Sequence, residues 1–374
     1  MKYYIIAGEA SGDLHAANLM REITKLNPTA LFRVWGGDRM RNEGGELVKH
    51  HRELAFMGFY EVLANLSTIL YNFRFCKNDI LTYRPDAIIL IDYPGFNLRI
   101  AEFAHKHGIR VFYYISPQVW AWKKSRVRKI RKFVERLFVI LPFEKDFYAR
   151  HGVDVDFVGH PLLDAIENEK NNLTDPGTFR NHHLLDKRPI IALLPGSREQ
   201  EISTMLPVML SVKNDFPDYQ FVVAGASAIL EDFYKAFITD HSVRIIFNQT
   251  HDLLHNAAAA LVTSGTATLE TALMDVPQVV CYKGNWISFQ IAKRIVNIKY
   301  ISLVNLIMDK QVVTELIQDQ MNPGMIKKEL IEILGEPARS RIRSDYMLLR
   351  EKLGFKGASA LTAKLIVERM CQGC

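Results

Sequence analysis

Apolar β-branched runs alternate with helix-spaced apolar patterns along this 374-residue chain, pause once, and then alternate again. The runs predict strands at 2–7, 31–36, 86–92, 110–115, 136–141 and 154–158, with helical periodicity between them. Strands separated by crossover helices pair in parallel, so the pattern dictates α/β sheets with helices on both faces. The polar stretch from Glu167 to Gly177 breaks the pattern and reads as a linker. Alternation restarts at 189–194 and continues through 219–224, 243–247, 258–263 and 277–282, after which the pattern is helical. The expectation is two doubly wound domains facing across a cleft, followed by C-terminal helices. Their boundaries fall at 1–165 for the first domain, 166–187 for the linker, 188–340 for the second and 341–374 for the helices. The terminal helices are expected to pack back on the first domain or on a partner chain.

Composition sets limits on this picture. With 48% hydrophobic and 24% charged residues the chain reads as globular. No apolar run approaches the roughly 20 residues that span a bilayer. Tyr3 to Ala7 is too short for a signal core and runs straight into Gly8-Glu9, so it reads as a first strand. Cys76, Cys281, Cys371 and Cys374 are too few and too scattered for a disulfide framework. The net charge is +6, and seven of the ten residues from Lys123 to Lys132 are Lys or Arg. Such a block suits anionic lipid, a phosphorylated substrate or nucleic acid. No aromatic RNP strand accompanies it, which argues against the last.

Two short runs in the second half carry most of the chemistry. Leu193-Leu-Pro-Gly-Ser-Arg198 and Thr263-Ser-Gly-Thr-Ala-Thr-Leu-Glu270 each follow an apolar strand and open a helix. Turns of this kind aim backbone N–H groups and a helix N-terminus at one spot, where a phosphate-sized anion binds. Gly196, Ser197, Ser264, Gly265 and Thr266 would supply the turns, and Arg198 a permanent cation. Glu270 is placed to accept hydrogen bonds from a sugar hydroxyl pair. Either turn alone is an ordinary βα connection; the two together point to a nucleoside diphosphate held without a Walker lysine.

In the first half, Gly8-Glu9-Ala10-Ser11-Gly12-Asp13 follows the first strand. Its glycines are four apart, so it is not the GxGxxG of dinucleotide sites. Gly8, Ser11 and Gly12 allow a bulky ligand to approach, while Asp13 suits either a ligand or a helix cap. Asp92 closes the strand Ala87 to Ile91 and precedes Tyr93-Pro-Gly-Phe-Asn97, the placement of a general base whose pKa burial would raise. Asn97 is expected to cap the following helix, leaving Asp92 free for chemistry. Trp120 and Trp122 lead into Lys123, Lys124 and Arg126, a sequence that reads either as lipid-facing surface or as core followed by a solvated helix. The stripe Phe59, Val62, Leu63, Leu66, Ile69, Leu70 and Phe73 reads as core, with lipid contact through Leu66, Ile69 and Phe73 as the alternative. Asp154-Val-Asp156 has the spacing of a metal-binding DxD but reads as a strand face, so no metal is expected.

Taken together, these runs resemble the lipid-A-disaccharide synthase family. The resemblance extends through Met57-Gly58, Glu61-Val62, Ser116 to Trp122, Leu141 to Glu144, Phe157 to His160 and Ser302 to Asn305, covering residues 8 to about 305 in order. It implies a GT-B fold of two Rossmann-like domains and an inverting hexosyl transfer. UDP-2,3-diacylglucosamine would condense with 2,3-diacylglucosamine 1-phosphate to the β-1,6 lipid A disaccharide 1-phosphate, with release of UDP. Asp92 matches the general base, Arg198 and Ser264-Gly265-Thr266 the UDP-phosphate site, Glu270 the ribose position, and Asn305 a further UDP-sugar motif. Gly8, Glu9, Ser11, Gly12 and Asp13 match the acceptor-side loop. The family also implies no cofactor, homodimers, and a cytoplasmic location on the inner face of the inner membrane. Many members carry an acidic residue where this chain has Gly95. The competing expectations are another UDP-sugar GT-B enzyme, such as a 2-epimerase, and a non-catalytic protein that binds anionic membranes.

Overall fold

The computed structural model describes residues 1–53, 66–117, 125–170, 173–238, 240, 242–284, 289 and 299–372. The chain divides into two compact units, Met1–Pro161 with Leu353–Cys374, and Leu162–Lys352.

The first unit holds strands β1 (Lys2–Ala7), β2 (Leu31–Gly36), β3 (Glu46–His50), β4 (Ala87–Ile91), β5 (Arg110–Tyr114), β6 (Arg136–Val139) and β7 (Asp156–Phe157). Its sheet is wholly parallel in the order β3-β2-β1-β4-β5-β6-β7. Around it lie α1 (Ala10–Leu26), α2 (Asp38–Asn42), α3 (Leu66–Tyr83), α4 (Pro94–Lys106), α5 (Ser125–Phe133), α6 (Pro142–Ala149) and the start of α7 (Pro161–Lys170). Every residue of β4, and all of β1 after Lys2, is buried, as expected for central strands covered by helices on both faces. One core cluster includes Ile6, Ile88, Leu90, Phe96 and Tyr113; the other includes Ile5, Ile89, Phe112 and Met20.

The second unit continues with α8 (Pro176–His182), β8 (Ile190–Leu194), α9 (Glu199–Leu210), β9 (Gln220–Gly225), α10 (Glu231–Lys235), β10 (Arg244–Phe247), α11 (Thr250–His255) and β11 (Ala257–Thr263). It closes with α12 (Thr266–Leu273), β12 (Gln278–Tyr282), α13 (Leu303–Met308), β13 (Thr314–Ile317), α14 (Pro323–Leu334) and α15 (Ala338–Lys352). The parallel sheet runs β10-β9-β8-β11-β12-β13. The final helix, α16 (Ala358–Cys371), returns to the first unit, where Ala363, Ile366 and Met370 share a core with Ala16, Ala17 and Met20 of α1.

Two edge strands, β3 and β13, are absent from the sequence reading: their short runs mix polar and apolar residues and are only partly buried. The expected strand 154–158 contracts to Asp156–Phe157. The polar interval 166–187 carries the end of α7 and all of α8, which Asp175 caps through the backbone N–H groups of Gly177 and Thr178, each at 3.0 Å.

Candidate functional site

Each sheet reverses its strand order once, and the predicted motifs lie at those two points. In the first, β1 and β4 are neighbours whose connections leave in opposite directions; in the second, β8 and β11 are. Ligands of doubly wound sheets bind beyond the carboxyl ends of such strands. Gly8–Asp13 follows β1 and Asp92–Asn97 follows β4, whereas Gly196–Arg198 follows β8 and Ser264–Thr266 follows β11.

At the first point the backbone is held in an unusual shape. Asp92 and Tyr93 both have left-handed φ, 42° and 48°. Two consecutive non-glycine residues in this region are strained, and the surroundings must impose the turn. The Asp92 backbone N–H donates to the Tyr114 carbonyl at 3.3 Å. Its carbonyl accepts from the Tyr113 hydroxyl at 2.5 Å and from the Asn97 amide at 2.8 Å. Tyr93, not Asn97, stands at the N-cap of α4. Asn97 is instead fully buried one turn in, and its side-chain N–H groups also face the carbonyls of Ile91 (3.2 Å) and Ile6 (3.4 Å). Gly8 has no room for a side chain, because a Cβ there would sit 2.3 Å from the Tyr93 ring.

This turn leaves the Asp92 carboxyl partly buried. Burial, reinforced by the nearby Glu9 carboxylate, pushes its pKa up to about 6, against the pull of the Tyr93 N–H and the Arg126 guanidinium. Arg126 is thus a half-buried neighbour of Asp92, and burial lowers its own pKa. The sequence reading had grouped it with lipid contacts. Its position at the start of a basic helix hid this role.

Of its two expected roles, ligand contact or helix cap, Asp13 takes the second, though on α2 and not on the helix it opens. Its buried carboxylate accepts from the backbone N–H groups of Gly37 (2.7 Å), Met40 (3.1 Å) and Arg39 (3.2 Å), so it caps α2 and joins β2 to α1 instead of facing a ligand. Glu9 and Ser11 are the exposed polar side chains of that loop. Phe73 follows the core reading. It is 7% exposed and stacks on Phe96 at 4.3 Å, so it belongs to the core, as the partly buried Ile69 does. Among the described residues, the large apolar side chains that α3 exposes are Leu70, Tyr71, Phe75 and Leu81. Trp120, Trp122, Lys123, Lys124 and the side chain of Leu66 lie outside the described residues, as do Met57 to Val62.

In the second unit, Gly196 adopts φ +119°, where a side chain would meet the Glu201 carboxylate at 2.5 Å. That carboxylate accepts from the Ser197 backbone N–H at 3.0 Å and pairs with Arg198 at 3.0 Å. The turn therefore already gathers donors around an anion. The other turn is anchored by the Ser264 hydroxyl, which donates to the Ile301 carbonyl at 3.0 Å, while Gly265 and Thr266 are exposed. Glu270, on α12, faces His251 of α11 at 3.7 Å, and the other ring nitrogen of His251 meets Glu169 of α7.

Asn305, expected at the UDP-sugar, is engaged elsewhere. It is fully buried, and both ends of its amide are spent: Nδ2 on the Val313 carbonyl and Glu315, Oδ1 on the N–H groups of Val312 and Val313. Glu315 in turn accepts from the backbone N–H groups of Ile301 (2.9 Å) and Ser302 (3.0 Å). Asn305 therefore braces the segment to which Ser264 is tied. Asp156 is engaged by Arg136 through paired hydrogen bonds of 2.8 and 2.9 Å. Among the described residues no cluster of three His, Cys, Asp or Glu could hold a metal ion.

Comparison with known proteins agrees with this layout. Residues 3–367 match the family model described as lipid-A-disaccharide synthetase. The lipid-A-disaccharide synthase of Syntrophus aciditrophicus is 42% identical, covering 96% of this chain and 95% of its own. That of Coxiella burnetii is 36% identical, with 97% and 96% covered. Among solved structures, UDP-GlcNAc 2-epimerase from Neisseria meningitidis bound to UDP-GlcNAc superposes with a TM-score of 0.69 at 12% identity, covering 98% of this chain and 100% of that one. A calicheamicin glycosyltransferase gives 0.63 at 14%, with 100% and 99% covered. At such low identity these two structures show a shared fold, the GT-B arrangement of two Rossmann-like sheets. The family match over nearly the whole length says more: the chain belongs to the lipid-A-disaccharide synthetase family.

Proposed function

We propose that the chain is the inverting hexosyltransferase of lipid A assembly, with Asp92 as its general base. UDP-2,3-diacylglucosamine is the donor and 2,3-diacylglucosamine 1-phosphate the acceptor. The acceptor's 6-hydroxyl gives its proton to the Asp92 carboxylate as O6 bonds to the donor's anomeric carbon. The bond from that carbon to the diphosphate oxygen breaks on the opposite face, and UDP leaves with the electron pair. A base with a pKa near 6 is ionised at neutral pH and still basic enough to accept a proton in the transition state. The observation that carries this reading is the strained, triply hydrogen-bonded turn that holds Asp92 at the switch point of the first sheet.

The second unit supplies the electrophilic side. Negative charge grows on UDP as it departs, and Arg198 with the N–H groups at the starts of α9 and α12 forms a preorganised set of donors for it. Glu270 accepts from the ribose hydroxyls. The acylated substrates are met at an anionic membrane surface. In support, α3 and α5 both pack on α4; α3 exposes Leu70, Tyr71 and Phe75, and α5 exposes Arg128, Lys129, Arg131 and Lys132. No helix among the described residues is long and apolar enough to cross a membrane.

The test is to mix purified protein with both substrates in detergent plus EDTA and follow disaccharide 1-phosphate and UDP by mass spectrometry. Product in EDTA, lost by a factor of about 10³ or more in Asp92→Asn at unchanged UDP affinity, is the expected result. Normal turnover by Asp92→Asn would overturn the assignment of the base. Failure to form disaccharide with or without added magnesium would redirect attention to other UDP-sugar chemistry.

A further inference from the structure

We propose that His251 is a positioning residue of the nucleotide site: an imidazolium held between Glu169 and Glu270 that orients the Glu270 carboxylate for the ribose hydroxyls. The inference rests on the reading of Glu270 as the ribose acceptor and adds the residue through which that acceptor is set.

The geometry makes the protonation state part of the role. Nδ1 of His251 donates to Glu169, and Nε2 lies 3.7 Å from a Glu270 oxygen. A neutral imidazole has one N–H, so one of its nitrogens would turn a lone pair toward a carboxylate. An imidazolium has two and satisfies both partners. The His251 side chain is 16% exposed and that of Glu270 24%, so the pair is only partly screened by water. Burial opposes the charge, but the bonds and charges of Glu270 and Glu169 outweigh it and hold the pKa up to about 9.

Among the described residues, the charges on the elements packed against α11 are few. Helix α11 packs against β9, β10 and β11, of which only β10 carries an ionisable group, the exposed Arg244. On α11 itself, Asp252 accepts from the Thr174 backbone N–H at 2.7 Å, and His255 is exposed at the helix end. At the C-cap of α8, His183 bonds Gln249, the residue before α11, at 2.6 Å. The three partners come from helices α7, α11 and α12, so fixing them together also fixes how α12 and its N-terminal Ser264–Thr266 turn sit against α11.

The sign of the pH dependence follows. The raised pKa means the bridge is intact at neutral pH and is lost as pH rises through about 9. An arginine at 251 stays charged throughout and removes that loss.

The experiment measures the Kd of UDP and of 2′-deoxy-UDP by calorimetry for the parent protein, Glu270→Gln, His251→Phe and His251→Arg, from neutral pH to about 10. The parent is expected to prefer UDP by about 10- to 100-fold, the range for a hydroxyl bonded to a charged acceptor. His251→Phe brings the ratio toward unity, whereas a merely structural role would weaken both nucleotides equally. His251→Arg keeps the preference and abolishes the alkaline loss seen in the parent, which tests the proposal even if His251→Phe fails to fold. An undiminished ratio in His251→Phe, or the same alkaline loss in His251→Arg, overturns the proposal while leaving Glu270 in place. Equal binding of the two nucleotides by the parent, unchanged in Glu270→Gln, removes the ribose reading and this inference with it.

Discussion

The Asn97 side-chain amide donates to the Asp92 backbone carbonyl at 2.8 Å, and the same group faces the carbonyls of Ile6, next to the end of β1, and of Ile91, the last residue of β4. One buried side chain thus ties together both strands of the switch point and the turn that aims the candidate base. The left-handed φ values of Asp92 and Tyr93 persist because this amide and the Tyr113 hydroxyl determine where the carbonyl must point.

Replacing Asn97 with Ala removes the amide's two N–H groups from the carbonyls of Ile6, Ile91 and Asp92, of which the last keeps the Tyr113 hydroxyl. The expected loss is about 1–3 kcal/mol of folding stability, read as a lower urea midpoint. Relaxation of the strained turn should also lower kcat by at least about tenfold under conditions where the variant stays folded, since misplacement of a base by about an ångström has effects of this order or larger. A variant with reduced stability and unchanged kcat would show that the turn holds its shape without the amide.

Activity should fall on the acid side as Asp92 takes up a proton, with kcat/KM halved near pH 6. The neighbours of the carboxyl set the direction in which this limb moves. Arg126→Gln removes a cation that favours the carboxylate, so the limb should move to higher pH; Glu9→Gln removes a repelling charge and should move it lower. The profiles of the two variants, measured with saturating UDP-sugar, should therefore shift in opposite senses. Shifts of the same sign would mean that another group governs the limb.

Asp13→Ala should act on stability. Three backbone N–H groups at the start of α2 lose their acceptor, with an expected loss of about 1–3 kcal/mol. Acceptor KM should stay near that of the parent protein when the measurement is made well below the melting transition. A large rise in acceptor KM with little change in Tm would return Asp13 to the ligand side of the loop.

Much of the fold was legible in the chain itself. Residues such as Ile88-Ile89-Leu90-Ile91 and Ile190-Ile191 are so continuously apolar that only a strand covered on both faces suits them, and the turns that follow carry the Gly, Ser and Thr of helix starts. Because doubly wound sheets place ligands beyond those ends, Asp92, Arg198 and Glu270 could be singled out before any contact was known. The edge strands β3 and β13 escaped, since half-exposed pairing on one side leaves little compositional trace.

What the sequence determined by itself is therefore local: the period of each segment, the chemistry of each turn, and the family to which their order belongs. Tertiary structure alone decided the partners. Asp13 reaches across 24 residues to Gly37, Asn97 across 91 to Ile6, and His251 across 82 to Glu169. It also assigned Phe73 to the core while leaving Tyr71 in water, and it brought α16 back to α1. The physical reason is that backbone periodicity and turn geometry are set by neighbours a few residues away. A buried polar group must instead be satisfied by whatever the chain's crossovers bring beside it. Those crossovers made Asp13 and Asn305 braces of the fold and left Asp92 at the end of its strand, held and available for chemistry.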